Sequence, residues 1–208
     1  MLINNWYVLA LSEELGDEPL GVHALGRDLV LYRDADGVAR CLVDTCVHKG
    51  GSLCRGLVVG GAVQCPYHGW RFDGAGQCVE IPSLGPEQNI PKRARVDAYP
   101  TAEKWGWIWA FLGDLGESER PTLPDFFPEL DEGTEDWRFN RGKAQFQCNW
   151  VRAVENGVDR SHAVFVHTDF GNPERKQVAD YEVIDDGNSL YVRGTSKPLD
   201  KRGQWRDA

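Results

Sequence analysis

The sequence predicts an all-β N-terminal domain followed by the beginning of an α+β domain. Three observations lead there. Up to about residue 112, short β-rich segments alternate with turn-forming clusters. From Gly113 to Asp136 the chain is proline-bearing and acidic, with Arg120 as its only basic residue. Beyond it lie one helix-like stretch and two strand-like segments. The expected organisation is a first domain over 1–115, an acidic linker over 116–138 and the start of a second domain over 139–208, one that looks incomplete.

In chain order, D-L-V-L-Y-R (28–33), V-A-R-C-L-V-D (38–44) and A-V-Q-C-P-Y (62–67) are short and β-rich. The clusters D-A-D-G (34–37), V-G-G (59–61) and D-G-A-G-Q (73–77) supply turns between such segments. The aromatic run K-W-G-W-I-W-A-F-L (104–112) reads as the strand that ends the first domain. After the linker, R-G-K-A-Q-F-Q-C (141–148) reads as a strand and 149–167 as helical. V-A-D-Y-E-V-I and S-L-Y-V-R-G then form two strands joined by D-D-G-N (185–188). No internal repeat or low-complexity segment is present.

Length and charge narrow the functional classes. A chain of 208 residues can bury a sizeable core. A net charge of -9 with a pI near 5.0 argues against nucleic acid or an anionic membrane surface as partner. The sequence has no long apolar run, and its start lacks the basic region of a secretory signal, so the chain reads as soluble and cytoplasmic. Six cysteines in a chain of this length suit thiols or metal ligands better than a disulfide scaffold.

Chemistry concentrates in two half-sites, C-V-H-K-G-G-S (46–52) and C-P-Y-H-G-W (65–70). They give Cys46-x-His48, a gap of sixteen residues, then Cys65-x-x-His68. Both lie at the ends of β-like segments, where hairpin tips present side chains to one point, and glycines follow each. Two cysteines and two histidines fit tetrahedral zinc or an iron–sulfur centre. Classical zinc fingers place both cysteines in one half, whereas here each half holds one of each. That alternation suits a [2Fe–2S] cluster in which cysteines hold one iron and histidines the other.

The pattern C-V-H…C-P-Y-H-G-W closely resembles the Rieske motif. Respiratory Rieske proteins carry an extra cysteine in each loop, joined as a disulfide; the equivalent positions here are Gly51 and Tyr67. With H-G-W, the chain resembles the oxygenase branch. Cys41, Cys54, Cys78 and Cys148 match no motif position and read as structural thiols.

The second half contains E-N-G-V-D-R-S-H-A-V-F-V-H (155–167). On a helix, Val151, Val154, Val158 and Phe165 form an apolar stripe, and Asn156, Asp159 and His162 occupy a different arc. His167 follows His162 by five positions, about 140° around a straight helix. One metal meets both only if a bulge or a helix end lies between them.

This N-x-x-D-x-x-H-x-x-x-x-H pattern resembles the mononuclear-iron motif of Rieske non-haem iron oxygenases. The resemblance implies that His162 and His167 are two members of a 2-His-1-carboxylate triad on Fe(II). Asp159 would be the catalytic bridging residue, linking a Rieske histidine of a neighbouring subunit to His162. Asn156 would be a polar catalytic position near the iron. The family's third ligand is an aspartate farther downstream. No carboxylate of this chain matches it, Asp169 and Asp180 included, so the sequence reads as part of a longer oxygenase subunit.

By the same resemblance, a reductase, directly or with a ferredoxin, supplies electrons from NAD(P)H to the Rieske cluster. They then pass through His48 or His68 across a subunit boundary to Asp159, His162 and the iron, which implies a homotrimer. Dioxygen and a small organic substrate meet there. The start of the chain resembles the single-subunit-type oxygenases that hydroxylate or demethylate small molecules. Two rivals are a Rieske-type ferredoxin acting only as an electron carrier and a zinc-bound structural module. The second hundred residues argue against the first, and the alternating ligand order against the second.

Overall fold

The structure is a computed structural model that describes residues 3–85, 89–125, 142–159, 161–167, 181–185 and 190–194. The chain divides into two compact units, Met1–Arg138 and Phe139–Ala208.

Unit one is built on antiparallel sheets. Strands β1 (Asn5–Leu11), β11 (Trp107–Leu112) and β10 (Thr101–Lys104) form one, in the order β1-β11-β10. Strands β2 (Leu20–Ala24), β3 (Arg27–Arg33), β4 (Ala39–Val43) and β9 (Ala98–Tyr99) form the second in that order. The third holds β5 (Leu57–Val59), β6 (Ala62–Gln64), β7 (Arg71–Phe72) and β8 (Cys78–Glu80).

The middle sheet explains the apolar run at 28–33. Side chains alternate across a strand, so a strand buried on both faces needs apolar residues at successive positions. Leu29, Leu31 and Cys41 join a core with Ile108, Ala110 and Leu112 of β11. Val30, Tyr32 and Leu42 turn the other way, into a core with Leu53, Val63, Phe72, Cys46 and Cys65. The register agrees, pairing Leu31 with Cys41 and Val30 with Leu42. This second core carries the two cysteines of the motif. Arg33 then ties the first two sheets together, donating to both carboxylate oxygens of Glu103 at 3.0 and 3.1 Å.

Three sequence expectations are corrected. The run 104–112 is not one strand: Trp105 (φ 56°) and Gly106 (φ 76°) form a two-residue hairpin turn between β10 and β11. Both residues take the left-handed conformation that matches the twist of the flanking strands. The run 62–67 pairs only as far as Gln64, because Cys65 and Pro66 already enter the motif loop. Residues 142–148 carry no strand; a strand needs a neighbour, and the described residues supply none there.

Unit two contains helices α1 (Trp150–Val158) and α2 (Ala163–Val166) and a hairpin of β12 (Tyr181–Asp185) with β13 (Leu190–Gly194). The Asn149 side chain caps α1, accepting from the Val151 amide at 2.9 Å, a contact worth about 1 kcal/mol. Val151, Val154, Val158 and Phe165 are all exposed. The stripe seen in sequence therefore buries nothing against the described residues. Among those residues, no helix is long and apolar enough to cross a membrane.

Burial holds the Cys41 thiol at about 12, against an ordinary 9.0. A folded-state pKa raised above the unfolded one gives stability that is full below the unfolded value and lost as pH rises through the folded value. Stability should therefore fall between about pH 9 and about pH 12. Cys41→Ala, compared with the parent by urea denaturation across that range, should flatten the fall while lowering stability at neutral pH.

Candidate metal centres

Backbone hydrogen bonds fix two loops before any metal enters the argument. In the first, the Cys46 amide donates to Gly51 at 2.8 Å and the Gly50 amide returns to Cys46 at 2.9 Å. A bridge between Thr45 and Ser52 closes its base. In the second, the Cys65 amide donates to Trp70 at 2.8 Å and the Gly69 amide to Cys65 at 3.0 Å. Gly69 has φ 74°, a left-handed conformation that favours glycine, and a Cβ there would make a tight 3.0 Å contact with Pro82 Cγ.

These loops sort the four motif residues into two layers. Cys46 and Cys65 are buried at 2% and 1% exposure. His48 is half-buried, His68 is exposed, and their ring centroids lie 4.5 Å apart. The Trp70 indole stacks on His48 at 4.6 Å and 6°, while Tyr67 leans on His68 at 4.1 Å. Asp44, buried beneath the first loop, accepts from the Ser52 hydroxyl at 2.6 Å and from the Cys54 amide.

The layered donors pass two physical tests for a Rieske cluster. The buried Nδ1 of His48 has no hydrogen-bond partner, an arrangement proteins avoid unless something else satisfies the atom. Desolvation, then His68 and Lys49, hold the imidazole below its usual pKa, so it is a neutral donor. The Cys46 thiol is pushed up to about 11 by desolvation and by Cys65, against the pull of the His48 and Lys49 amides. Bound cations supply the compensating charge that such a thiolate needs. The second test is spatial. Thiols inside and imidazoles outside suit two metal positions.

The histidines of unit two are brought together by a helix end. α1 stops at Val158, and Asp159 leaves the helical region at φ -74°, ψ 119°. His162 is the residue just before α2 and His167 the residue just after it. The two rings come to 5.4 Å between centroids. A metal–nitrogen bond of about 2 Å puts each imidazole centroid about 3 Å from a metal, so two rings sharing one metal stand about 4.5–5.5 Å apart. Asp159 Oδ2 lies 3.3 Å from His162 Nδ1, leaving Nε2 for a metal. The Ser161 hydroxyl and amide, with a smaller contribution from His162, hold the Asp159 carboxyl below its usual pKa. Asn156, exposed on α1, makes no hydrogen bond to these residues.

The chain is similar to known proteins along most of its length. A family model described as the Rieske [2Fe-2S] domain matches residues 5–100. The oxygenase component of dicamba O-demethylase from Stenotrophomonas maltophilia is 37% identical over 98% of this chain and 63% of its own length. Residues 5–100 of this chain belong to the Rieske [2Fe-2S] domain family, and nearly the whole chain is similar to Rieske non-haem iron oxygenases. The 4beta-methylsterol monooxygenase of Methylococcus capsulatus is 34% identical over 97% of the chain and 58% of that protein. The crystal structure of dicamba monooxygenase with non-heme iron and dicamba superposes with a TM-score of 0.70 at 33% identity. It covers 90% of this chain and 51% of that one. The chain thus spans about three fifths of the length of these curated relatives.

Sequence reasoning passed over Trp70, Asp44 and Ser161 as parts of the sites. Trp70 stood in the quoted motif, but only the structure sets its indole parallel to His48. Asp44 had a signal, a lone acid ending an apolar strand two residues before a motif cysteine. Ser161 stands two residues after Asp159, the spacing at which an Asp side chain caps a following amide.

A Cβ at Gly51 would lie 2.9 Å from Cys65 Sγ and 3.4 Å from Tyr67 Cβ. The second distance is close to the Cβ separation of disulfide-linked residues, about 3.5–4.5 Å, so the two positions equivalent to the respiratory cysteines face each other here. Because the first contact is too short, Gly51→Ala should displace Cys65 and lower bound iron and sulfide at least about twofold. Metal and acid-labile sulfide analysis checks this; undiminished loading would show that the cradle tolerates the methyl group.

Proposed function

We propose that this chain is the electron-accepting and iron-binding part of an oxygenase terminal component acting on a small organic substrate. One observation carries the reading: the helix break after Val158 sets His162 and His167 side by side, downstream of a Rieske domain on the same chain. A pure electron carrier has no use for that pair. The relatives named as a demethylase and as a monooxygenase favour hydroxylation or demethylation.

In this reading Cys46, Cys65, His48 and His68 hold the [2Fe–2S] cluster, while His162 and His167 hold Fe(II) with a carboxylate not found in this chain. When bound, the cluster supplies one-electron transfer and the iron supplies dioxygen activation. The residues around them position and shield. The backbone amides of His48 and Lys49 donate to Cys46 Sγ and favour its thiolate. The Trp70 indole keeps the His48 ring plane fixed. His68, being exposed, is the ring open to another protein surface. Asp159 would accept a hydrogen bond from Nδ1–H of His162 and so leave Nε2 for the metal. Asn156 would be a polar position near the iron.

The partners follow from the same reading: a reductase, with or without a ferredoxin, drawing on NAD(P)H, and two further copies in a homotrimer that brings one subunit's His48 or His68 to a neighbour's Asp159. The protein works in the cytoplasm, in three segments: a Rieske domain over 1–115, a linker over 116–138 and the opening of the catalytic domain over 139–208.

Anaerobically purified protein should contain about three irons and two sulfides per chain. About two of each would overturn the mononuclear half of the reading and leave the electron-carrying half standing. Zinc without sulfide would overturn both.

A further inference from the structure

We infer that Ser161 is a positioning residue that selects the ring tautomer of His162 by locking the Asp159 carboxylate. The inference rests on the role proposed for Asp159 and extends it to a residue that does not touch the metal.

The geometry is local. Asp159 follows the last turn of α1, and its amide donates to Glu155 at 3.0 Å. Its Oδ1 then accepts twice from one residue, from the Ser161 amide at 2.8 Å and from the Ser161 hydroxyl at 2.6 Å. Two donors on Oδ1 leave Oδ2 as the oxygen turned to His162 Nδ1, at 3.3 Å.

The need for such a lock follows from exposure. The Asp159 side chain is 45% exposed, so water competes for both of its oxygens. A free carboxylate rotates about χ1 and χ2 and would hold Nδ1–H only part of the time. The tautomer of a neutral imidazole is set by the hydrogen bond its other nitrogen makes. With Asp159 pinned, Nδ1 carries the proton and Nε2 keeps its lone pair. With Asp159 loose, a share of the rings carries the proton on Nε2, where no metal can bind.

Nitrogen-15 NMR of the histidine rings tests this without turnover, in protein purified without added iron at about pH 8.5, above the ordinary histidine range. The parent and Ser161→Thr should both show His162 as the Nδ1–H form. Ser161→Ala should lose a substantial share of that form, with unchanged Rieske absorbance and circular dichroism. Ser161→Ala matching the parent, or Ser161→Thr matching Ser161→Ala, would overturn the inference. Asp159→Asn separates the two levels. If it shifts the tautomer and Ser161→Ala does not, only the role of Ser161 fails; if neither shifts it, the role of Asp159 fails as well.

Discussion

Two buried thiols set the terms for the first unit. A thiolate in a dry core is costly, and Cys46 and Cys65 are almost fully removed from water. The surrounding fold keeps them there and compensates. Val30, Tyr32, Leu42 and Phe72 fill the space beneath them, and backbone amides of the first loop point at the Cys46 sulfur. The middle sheet must therefore be apolar on both faces, since one face closes this core and the other closes the core against β11. The imidazoles take the outer positions, His48 half-buried and His68 exposed.

What the sequence revealed depended on where the decisive interaction lay. The four Cys and His positions were legible because ligand chemistry admits few residue types and the spacing is short. Strand β3 was legible because a doubly buried strand leaves an unbroken apolar run. The Trp105–Gly106 turn was hidden inside an aromatic run, where β propensity on both sides masked a two-residue reversal. Residues 142–148 show the opposite case: a good β composition without a neighbour does not make a strand. The break between α1 and α2 was required by geometry if one metal was to see both histidines. Its cause, a side chain folding back on the next turn through Ser161, was not extracted from D-R-S-H.

The second unit shows how little of a site must be buried to have shape. α1 rests on an Asn149 cap and an exposed Arg152–Glu155 pair, each a modest contribution. Its apolar residues face solvent, yet His162 and His167 stand at a separation that one metal can span. Local hydrogen bonds around Asp159 supply an order that core packing does not.

The two outer imidazoles differ in surroundings: His48 is walled by an indole, and His68 lies open beside a tilted phenol ring. A change of charge at this end of the domain is therefore met by fixed protein dipoles on one side and by mobile water on the other. Water must reorient with each change, and that reorganisation raises the barrier to electron exchange. Any surface that covers His68 expels the water and lowers the barrier on that side alone. In the proposed reading, the exposed ring would make electron exchange slow in the open and faster under contact, a form of insulation that a docked protein removes.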